Sequence, residues 1–278
     1  MLKNFIEPSV LLNQTDAIIL DVRRGSSIQS GKDLYDREHV QGAYYLDLES
    51  DLSGEVTELT GAHPLPNKTE FEQILRNMGA TNNSEFFVYD DGDQFVAARA
   101  WFVLKYFGIQ SVKLIGGGFP ALKKSAVKMS SKTTPIKNGT ITLLPQAQMV
   151  TDFDTVKDFS ENGKENTVLL DVRAKERYLG QVETIYHKAG HIPRAQSYFY
   201  RDIFAQQYEL KDKEALQVHF EAIMDKDIIL SCGSGVTAAM TMIALDELGK
   251  SSKVYVGSYS EWIKRGEKVE TSDEMSDN

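Results

Sequence analysis

The stretch Asp227-Ile228-Ile229-Leu230-Ser231-Cys232-Gly233-Ser234-Gly235-Val236-Thr237 decides the reading of this chain. An apolar, strand-forming run ends at a cysteine, and a glycine-rich turn then leads into a helix-like segment, Ala238 to Leu248. A thiol at the C-terminal tip of a strand that feeds a helix N-terminus sits where backbone N–H groups converge. Those donors and the positive end of the helix dipole favour thiolate over thiol. Cys232 is the only cysteine in 278 residues. A lone cysteine is most often a small buried hydrophobe, but the strand–turn–helix setting reverses that expectation and marks a nucleophile in an anion-binding cradle.

Outward from this segment, the chain repeats itself. Asp21-Val22-Arg23 recurs as Asp171-Val172-Arg173, each closing an apolar run, and His39-Val40-Gln41-Gly42-Ala43 is echoed by His191-Ile192-Pro193-Arg194-Ala195. Phe86-Phe87-Val88-Tyr89-Asp90 parallels the strand before Cys232, and Val112-Lys113-Leu114-Ile115-Gly116-Gly117 parallels Lys253-Val254-Tyr255-Val256-Gly257. Four landmarks in one order indicate an internal duplication. Within each copy, continuous apolar strands alternate with helical patterns such as Phe71, Ile74, Leu75, Met78 and Leu216, Phe220, Ile223, Met224. This predicts two α/β domains, each a mainly parallel sheet with helices on both faces. The expected bounds are 1–127 and 147–278, joined by a linker-like stretch 128–146 rich in Ser, Thr, Lys, Pro and Gly. The acidic tail from Glu267 reads as loose. Laid together, the repeats put Cys232 opposite Asp90. A carboxylate is no sulfur nucleophile, so the second half carries the chemistry and the first contributes structure and one wall of a cleft.

Composition narrows the function classes. Hydrophobic residues at 41% and charged residues at 26% describe an ordinary globular protein. The net charge of −9 argues against nucleic-acid binding, which needs basic surface. One cysteine excludes an intrachain disulfide framework and points to a reducing compartment. No apolar run is long enough for a membrane span, and the opening residues lack a signal-peptide core, so a cytoplasmic location is expected.

Cys232-Gly233-Ser234-Gly235-Val236-Thr237, on the second of two such repeats, resembles the tandem-domain rhodanese family, and within it the loop of 3-mercaptopyruvate sulfurtransferases. Asp171-Val172-Arg173, Ala189-Gly190-His191-Ile192-Pro193 and Gly61-Ala62-His63-Pro64-Leu65-Pro66 extend the resemblance over nearly the whole chain. It implies a sulfur relay through a Cys232 persulfide, with no cofactor and no metal. The sulfur would come from a small anionic donor and pass to a thiol, cyanide or thioredoxin-like acceptor. A phosphatase on this fold needs Cys-x5-Arg, yet residue 238 is Ala. Family members that prefer thiosulfate tend to carry cations right after the cysteine. Here Gly233 and Ser234 stand there, which favours 3-mercaptopyruvate, with thiosulfate the alternative. The resemblance also implies Ser234 as a hydroxyl relay with His63 and an acid, best matched by Glu49 where the family pattern has Asp. Arg177 matches the arginine that holds the substrate anion, and Gly233, Gly235, Val236 and Thr237 would line the anion site. A second arginine, common nine residues later in mercaptopyruvate enzymes, is Tyr186 here, which leaves Lys188 or Arg194 as substitutes and keeps thiosulfate as the alternative donor. A third reading, of a different class, is a sulfur-relay or binding module without small-molecule turnover.

Other motifs read as architecture. Arg23 and Arg173 are expected to pair locally, and His39 and His191 to satisfy backbone groups in their turns. His187 and His191 are spaced like metal ligands, but Gly190 and Pro193 argue against a helix there. Gly233-x-Gly235-x-x-Ala238 also fits a dinucleotide fingerprint, although the following strand ends without the required acid. Gly116-Gly117-Gly118 reads as a turn, and Trp101 and Trp262 as core.

Overall fold

The computed structural model describes residues 2–13, 16–206 and 208–271. The chain forms two compact units: residues 1–54, 65–146 and 205–210 make the first, and residues 55–64, 147–204 and 211–278 the second. The first unit is built on a five-stranded sheet in the order Phe5–Ile6, Ser111–Ile115, Glu85–Tyr89, Ile18–Asp21, Tyr44–Tyr45. The second repeats it with Val150–Thr151, Ser252–Tyr255, Asp227–Ser231, Thr167–Asp171, Gln196–Ser197. Every neighbouring pair is parallel in both sheets. The duplication read from the sequence is therefore a duplication of topology.

The apolar character of the central segments dictates this arrangement. Ile18–Asp21 is buried at all four positions, and the last four residues of Glu85–Tyr89, Thr167–Asp171 and Asp227–Ser231 are buried as well, as strands covered on both faces require. The helix after each central strand, Phe95–Tyr106 in the first unit and Ala238–Glu247 in the second, is buried over most of its circumference. Trp101 and Trp262 are core residues, 2% and 1% exposed.

The recurrent Asp-Val-Arg segment fastens the strand ends. Arg173 forks onto Asp171 (Nη2–Oδ2 2.6 Å, Nε–Oδ1 3.0 Å) and donates to the Gly190 carbonyl at 2.6 Å. Arg23 does the same with Asp21 at 2.6 Å and the Glu38 carbonyl at 2.7 Å. Each guanidinium lies over an aromatic ring, Tyr259 at 3.9 Å and Phe119 at 3.7 Å. His39 and His191 place Nδ1 2.6 and 2.7 Å from the carbonyls of Tyr35 and Tyr178 and stack on those same tyrosines at 3.8 Å. All four are structural, as expected.

Two expectations need correction. Residues 128–146 are no free linker, since they are part of the first unit. The amides of Lys137, Gly139, Thr140, Ile141 and Leu144 donate to the carbonyls of Asn77, Arg76, Ala80, Ala80 and Phe107, and Ile141 and Leu143 are buried. A polar composition concealed a strap fastened by its backbone over residues 137–146. Likewise Glu267–Glu270 is fixed: His191 and Glu270 exchange backbone hydrogen bonds at 2.8 and 2.9 Å, and Trp262 donates to the Lys268 carbonyl. The rest of the acidic tail, 272–278, lies outside the described residues.

Asp90 ends the first unit's central strand, and its carboxylate folds back into the turn that follows. It accepts from the amides of Gly92 (2.8 Å), Gln94 (3.3 Å) and Ala97 (3.1 Å). The cradle of N–H groups in this unit is filled by the chain's own carboxylate. Burial, and then the neighbouring Asp93, push the Asp90 carboxyl up to about 7 from its ordinary 3.8, against the opposing pull of those three amides. The folded first unit thus holds a proton that the unfolded chain releases. Its contribution to stability is full below about pH 4 and is lost as pH rises through about 7. We expect thermal unfolding to show Asp90→Asn reducing the fall in Tm between pH 5 and pH 8 relative to the parent. An identical pH slope in both proteins would refute this account of Asp90.

Candidate active site

Strand register brings the site together. Asp171 pairs with Ser231 at the C-terminal edge of the second sheet, so the chain leaving Thr167–Asp171 and the chain leaving Asp227–Ser231 emerge side by side. Cys232 is the next residue and is 1% exposed. Its backbone is held by the turn that opens the helix Ser258–Lys264. Tyr259 N donates to Cys232 O at 3.0 Å, Ser260 N to Gly233 O at 2.8 Å, and Cys232 N to Ser258 Oγ at 3.1 Å. The loop is thereby turned around its own sulfur: Gly235 N donates to Sγ at 3.1 Å, and Ser258 Oγ lies 3.8 Å from it. Among the described residues, no protein group accepts from the amides of Gly233, Ser234, Val236 or Thr237. Thr237 is the N-cap of Ala238–Glu247 and makes no side-chain cap bond. Unfilled donors and a helix N-terminus surround one buried thiol.

Glycine is required at one point of this loop, and at a second a side chain would crowd its neighbour. Gly235 has φ +82°, and a Cβ there would stand 2.4 Å from the Val256 carbonyl oxygen. At Gly233 a Cβ would meet the Tyr186 hydroxyl at 3.0 Å.

His63 belongs to the second unit, contrary to the expected boundary at residue 127. Its segment is docked on the same helix that fixes the cysteine loop. Ala62 N donates to Ser260 Oγ at 3.0 Å, Lys264 Nζ to the carbonyls of Thr57 and Thr60, and Arg265 Nη2 to Leu59 O. Glu49 lies in the first unit, in a turn whose amides at Glu49 and Ser50 donate to Asp47 Oδ1 at 2.9 and 3.1 Å.

The cations sort differently from expectation. Arg177 sits beside the site but is clamped on Glu183 (Nη2–Oε1 2.8 Å, Nε–Oε2 3.1 Å). Lys188 directs its ammonium to the Glu267 carbonyl at 2.8 Å, and Arg194 its guanidinium to the Ser160 carbonyl at 3.2 Å. Both engage carbonyls outside the loop. The group that does reach the loop is Tyr186, whose hydroxyl lies 3.0 Å from where a Cβ at Gly233 would stand. Among the described residues, no cluster of His, Cys, Asp or Glu is arranged to hold a metal.

The sequence reading passed over Ser258. It occupies the left-handed region at φ +51°, unusual for a residue with a side chain. The repeat carried the signal, since Gly118 holds the equivalent place at φ +55° and Phe119 N donates to Asp90 O as Tyr259 N does to Cys232 O. A serine where the other copy has glycine marks a hydroxyl that is needed.

Comparison with known proteins agrees with this geometry. The rhodanese-like domain model matches residues 9–125 and 153–265. A probable 3-mercaptopyruvate sulfurtransferase of Pseudomonas aeruginosa is 35% identical over 91% of this chain and 91% of its own. A putative thiosulfate sulfurtransferase of Mycobacterium tuberculosis is 31% identical over 88% and 87%. The crystal structure of the 3-mercaptopyruvate sulfotransferase SseA from Escherichia coli superposes with a TM-score of 0.80 at 28% identity, covering 92% of this chain and 99% of that one. With two copies of the fold and an intact cysteine loop in the second, the chain belongs to the rhodanese family and is a sulfurtransferase.

Proposed function

We propose that this protein moves a sulfane sulfur from 3-mercaptopyruvate to a thiol or cyanide acceptor, through a persulfide on Cys232. The observation that carries this reading is the buried Cys232 sulfur inside a loop whose remaining amides have no protein acceptor. Such a cradle suits chemistry in which negative charge stays on sulfur throughout. The Cys232 thiolate attacks the donor sulfur, the donor C–S bond breaks, and the bonding pair enters the departing three-carbon acid. That fragment leaves as pyruvate once its C3 takes the proton given up by the donor thiol. An acceptor thiolate or cyanide then attacks the outer sulfur, the S–S bond breaks, and the Cys232 thiolate returns. Atoms and charge balance in both halves.

Ser234 acts as the hydroxyl relay for that proton, with His63 behind it. Support for His63 is that its segment and the cysteine loop are fastened to one helix, Ser258–Lys264. Arg177 would meet the donor carboxylate, exchanging part of its pairing with Glu183. Gly233, Gly235, Val236 and Thr237 supply main-chain donors. Thiosulfate remains the second reading, favoured by the relative from Mycobacterium tuberculosis. A lone cysteine kept as a thiol fits a cytoplasmic enzyme served by small thiols or a thioredoxin-like partner. No helix among the described residues is long and apolar enough to cross a membrane.

Electrospray mass spectrometry after treatment with 3-mercaptopyruvate should show the chain heavier by one sulfur atom, and Cys232→Ala should show no gain. A modified Cys232→Ala chain would remove the cysteine from the mechanism. Steady-state rates should give a higher kcat/KM for 3-mercaptopyruvate than for thiosulfate, and the reverse order would transfer the assignment to thiosulfate. For His63→Ala we expect kcat with 3-mercaptopyruvate to fall about 10²-fold, within the span of general acid–base catalysis, and to fall far less with thiosulfate, which needs no proton at carbon. Equal losses would remove the relay.

A further inference from the structure

The segment after the short helix Lys175–Leu179 is organised by one buried carboxylate. Glu183 accepts from the amides of Ile185 (2.9 Å) and Tyr186 (3.2 Å), from Arg177 through Nε and Nη2, and from Arg173 Nη1 at 3.5 Å. Two consequences follow. The charge of Arg177 is largely balanced before any donor arrives, and the chain at 185–186 is held so that the Tyr186 ring lies beside the cysteine loop. That ring stands 5.5 Å from the Arg177 guanidinium carbon and 6.0 Å from the Tyr259 ring. Its hydroxyl meets the empty side of Gly233. Burial first, and then the negative charge of Cys232, raise the Tyr186 phenol above its ordinary value, with Arg177 and Ser234 acting in the opposite direction. The phenol keeps its proton at neutral pH and is a standing hydrogen-bond donor.

We propose that Tyr186 is a specificity-determining residue of the donor site, its hydroxyl beside the cysteine loop donating to the 2-oxygen of a 2-keto thiol as sulfur is transferred. The inference rests on the sulfur-transfer reading above and deepens it. As the donor C–S bond breaks, its electron pair forms the enolate of the departing acid. Negative charge then sits on that oxygen until C3 takes up the donor's thiol proton. A donor group with no formal charge has little to offer a ground-state dianion, but it stabilises charge that appears only in the transition state. An arginine at the same place would attract both. A Cβ at residue 233 would stand 3.0 Å from the Tyr186 hydroxyl, so a side chain there would crowd the phenol.

The test is donor selectivity measured on Tyr186→Phe and Tyr186→Arg, with Cys232 persulfide formation followed by mass in parallel. Tyr186→Phe keeps the ring and should lower kcat with 3-mercaptopyruvate about tenfold to a hundredfold, with KM nearly unchanged and rates with thiosulfate almost unaffected. Tyr186→Arg restores a donor at this place and should recover most of the kcat that Tyr186→Phe loses with 3-mercaptopyruvate. A residue that merely packs would affect both donors alike. Parental kcat in Tyr186→Phe with 3-mercaptopyruvate, equal losses with both donors, or an effect confined to KM would each overturn the role of Tyr186 while leaving the persulfide mechanism standing. Failure of the parent protein itself to become persulfidated by 3-mercaptopyruvate would overturn both, which separates the two failures.

Discussion

The structure of the site depends on three hydrogen bonds to the turn at residues 258–260, two main-chain and one to a side chain: Tyr259 N to Cys232 O, Ser260 N to Gly233 O, and Cys232 N to Ser258 Oγ. They consume the outward-facing polar groups of the first two loop residues. The Gly235 amide then donates to the sulfur at 3.1 Å. Each such bond contributes about 1 kcal/mol net, too little individually to force the conformation. Together with a glycine at φ +82° packed on the Val256 carbonyl, they leave the loop one arrangement. A left-handed serine is the cost of including a hydroxyl at this point, and its Oγ is anchored further by donating to Tyr255 O at 2.8 Å.

The first unit shows what the same scaffold does with a different residue. Phe119 N holds Asp90 O as Tyr259 N holds Cys232 O, and the left-handed position is a glycine. The Asp90 carboxylate then reaches the turn amides itself, through two oxygens where Cys232 offers one sulfur. A cradle occupied from within has no donors left for an external anion. Duplication produced two equivalent loops, and one side chain at the strand tip separates a closed loop from an open one. The Asp-Arg forks and the His-Tyr stacks are common to both units. They therefore belong to the architecture rather than to the chemistry.

Much of this was legible in the residues. Apolar runs ending in Asp-Val-Arg and the repeated landmarks fixed two parallel sheets, because strands buried on both faces leave little ambiguity. Cys232 stood out from its setting. Segment allegiance was not legible, since composition carries no record of where backbone hydrogen bonds go. Residues 128–146 look like a linker yet form a strap, and residues 55–64 precede much of the first unit in sequence yet are bonded to the helix Ser258–Lys264. The balance of charge was hidden for a similar reason. Glu183 drew no notice as one acid among many, but burial between Arg173 and Arg177 makes it the group that decides what Arg177 is free to do. Tyr186 was visible only as a missing arginine, and its neighbour Gly233 only as a flexible residue. Their relation is a matter of three-dimensional contact.

The central claim is that one sulfur, on Cys232, accepts sulfur covalently while the first unit takes no part in the chemistry. Rapid mixing of the protein with 3-mercaptopyruvate in the absence of added acceptor, quenched at millisecond intervals, measures this directly as released pyruvate. The account predicts a burst with an amplitude of one pyruvate per chain, set by the single cysteine, ahead of any slower phase. Release that is linear from the first time point, or a burst that persists in Cys232→Ser, would contradict it.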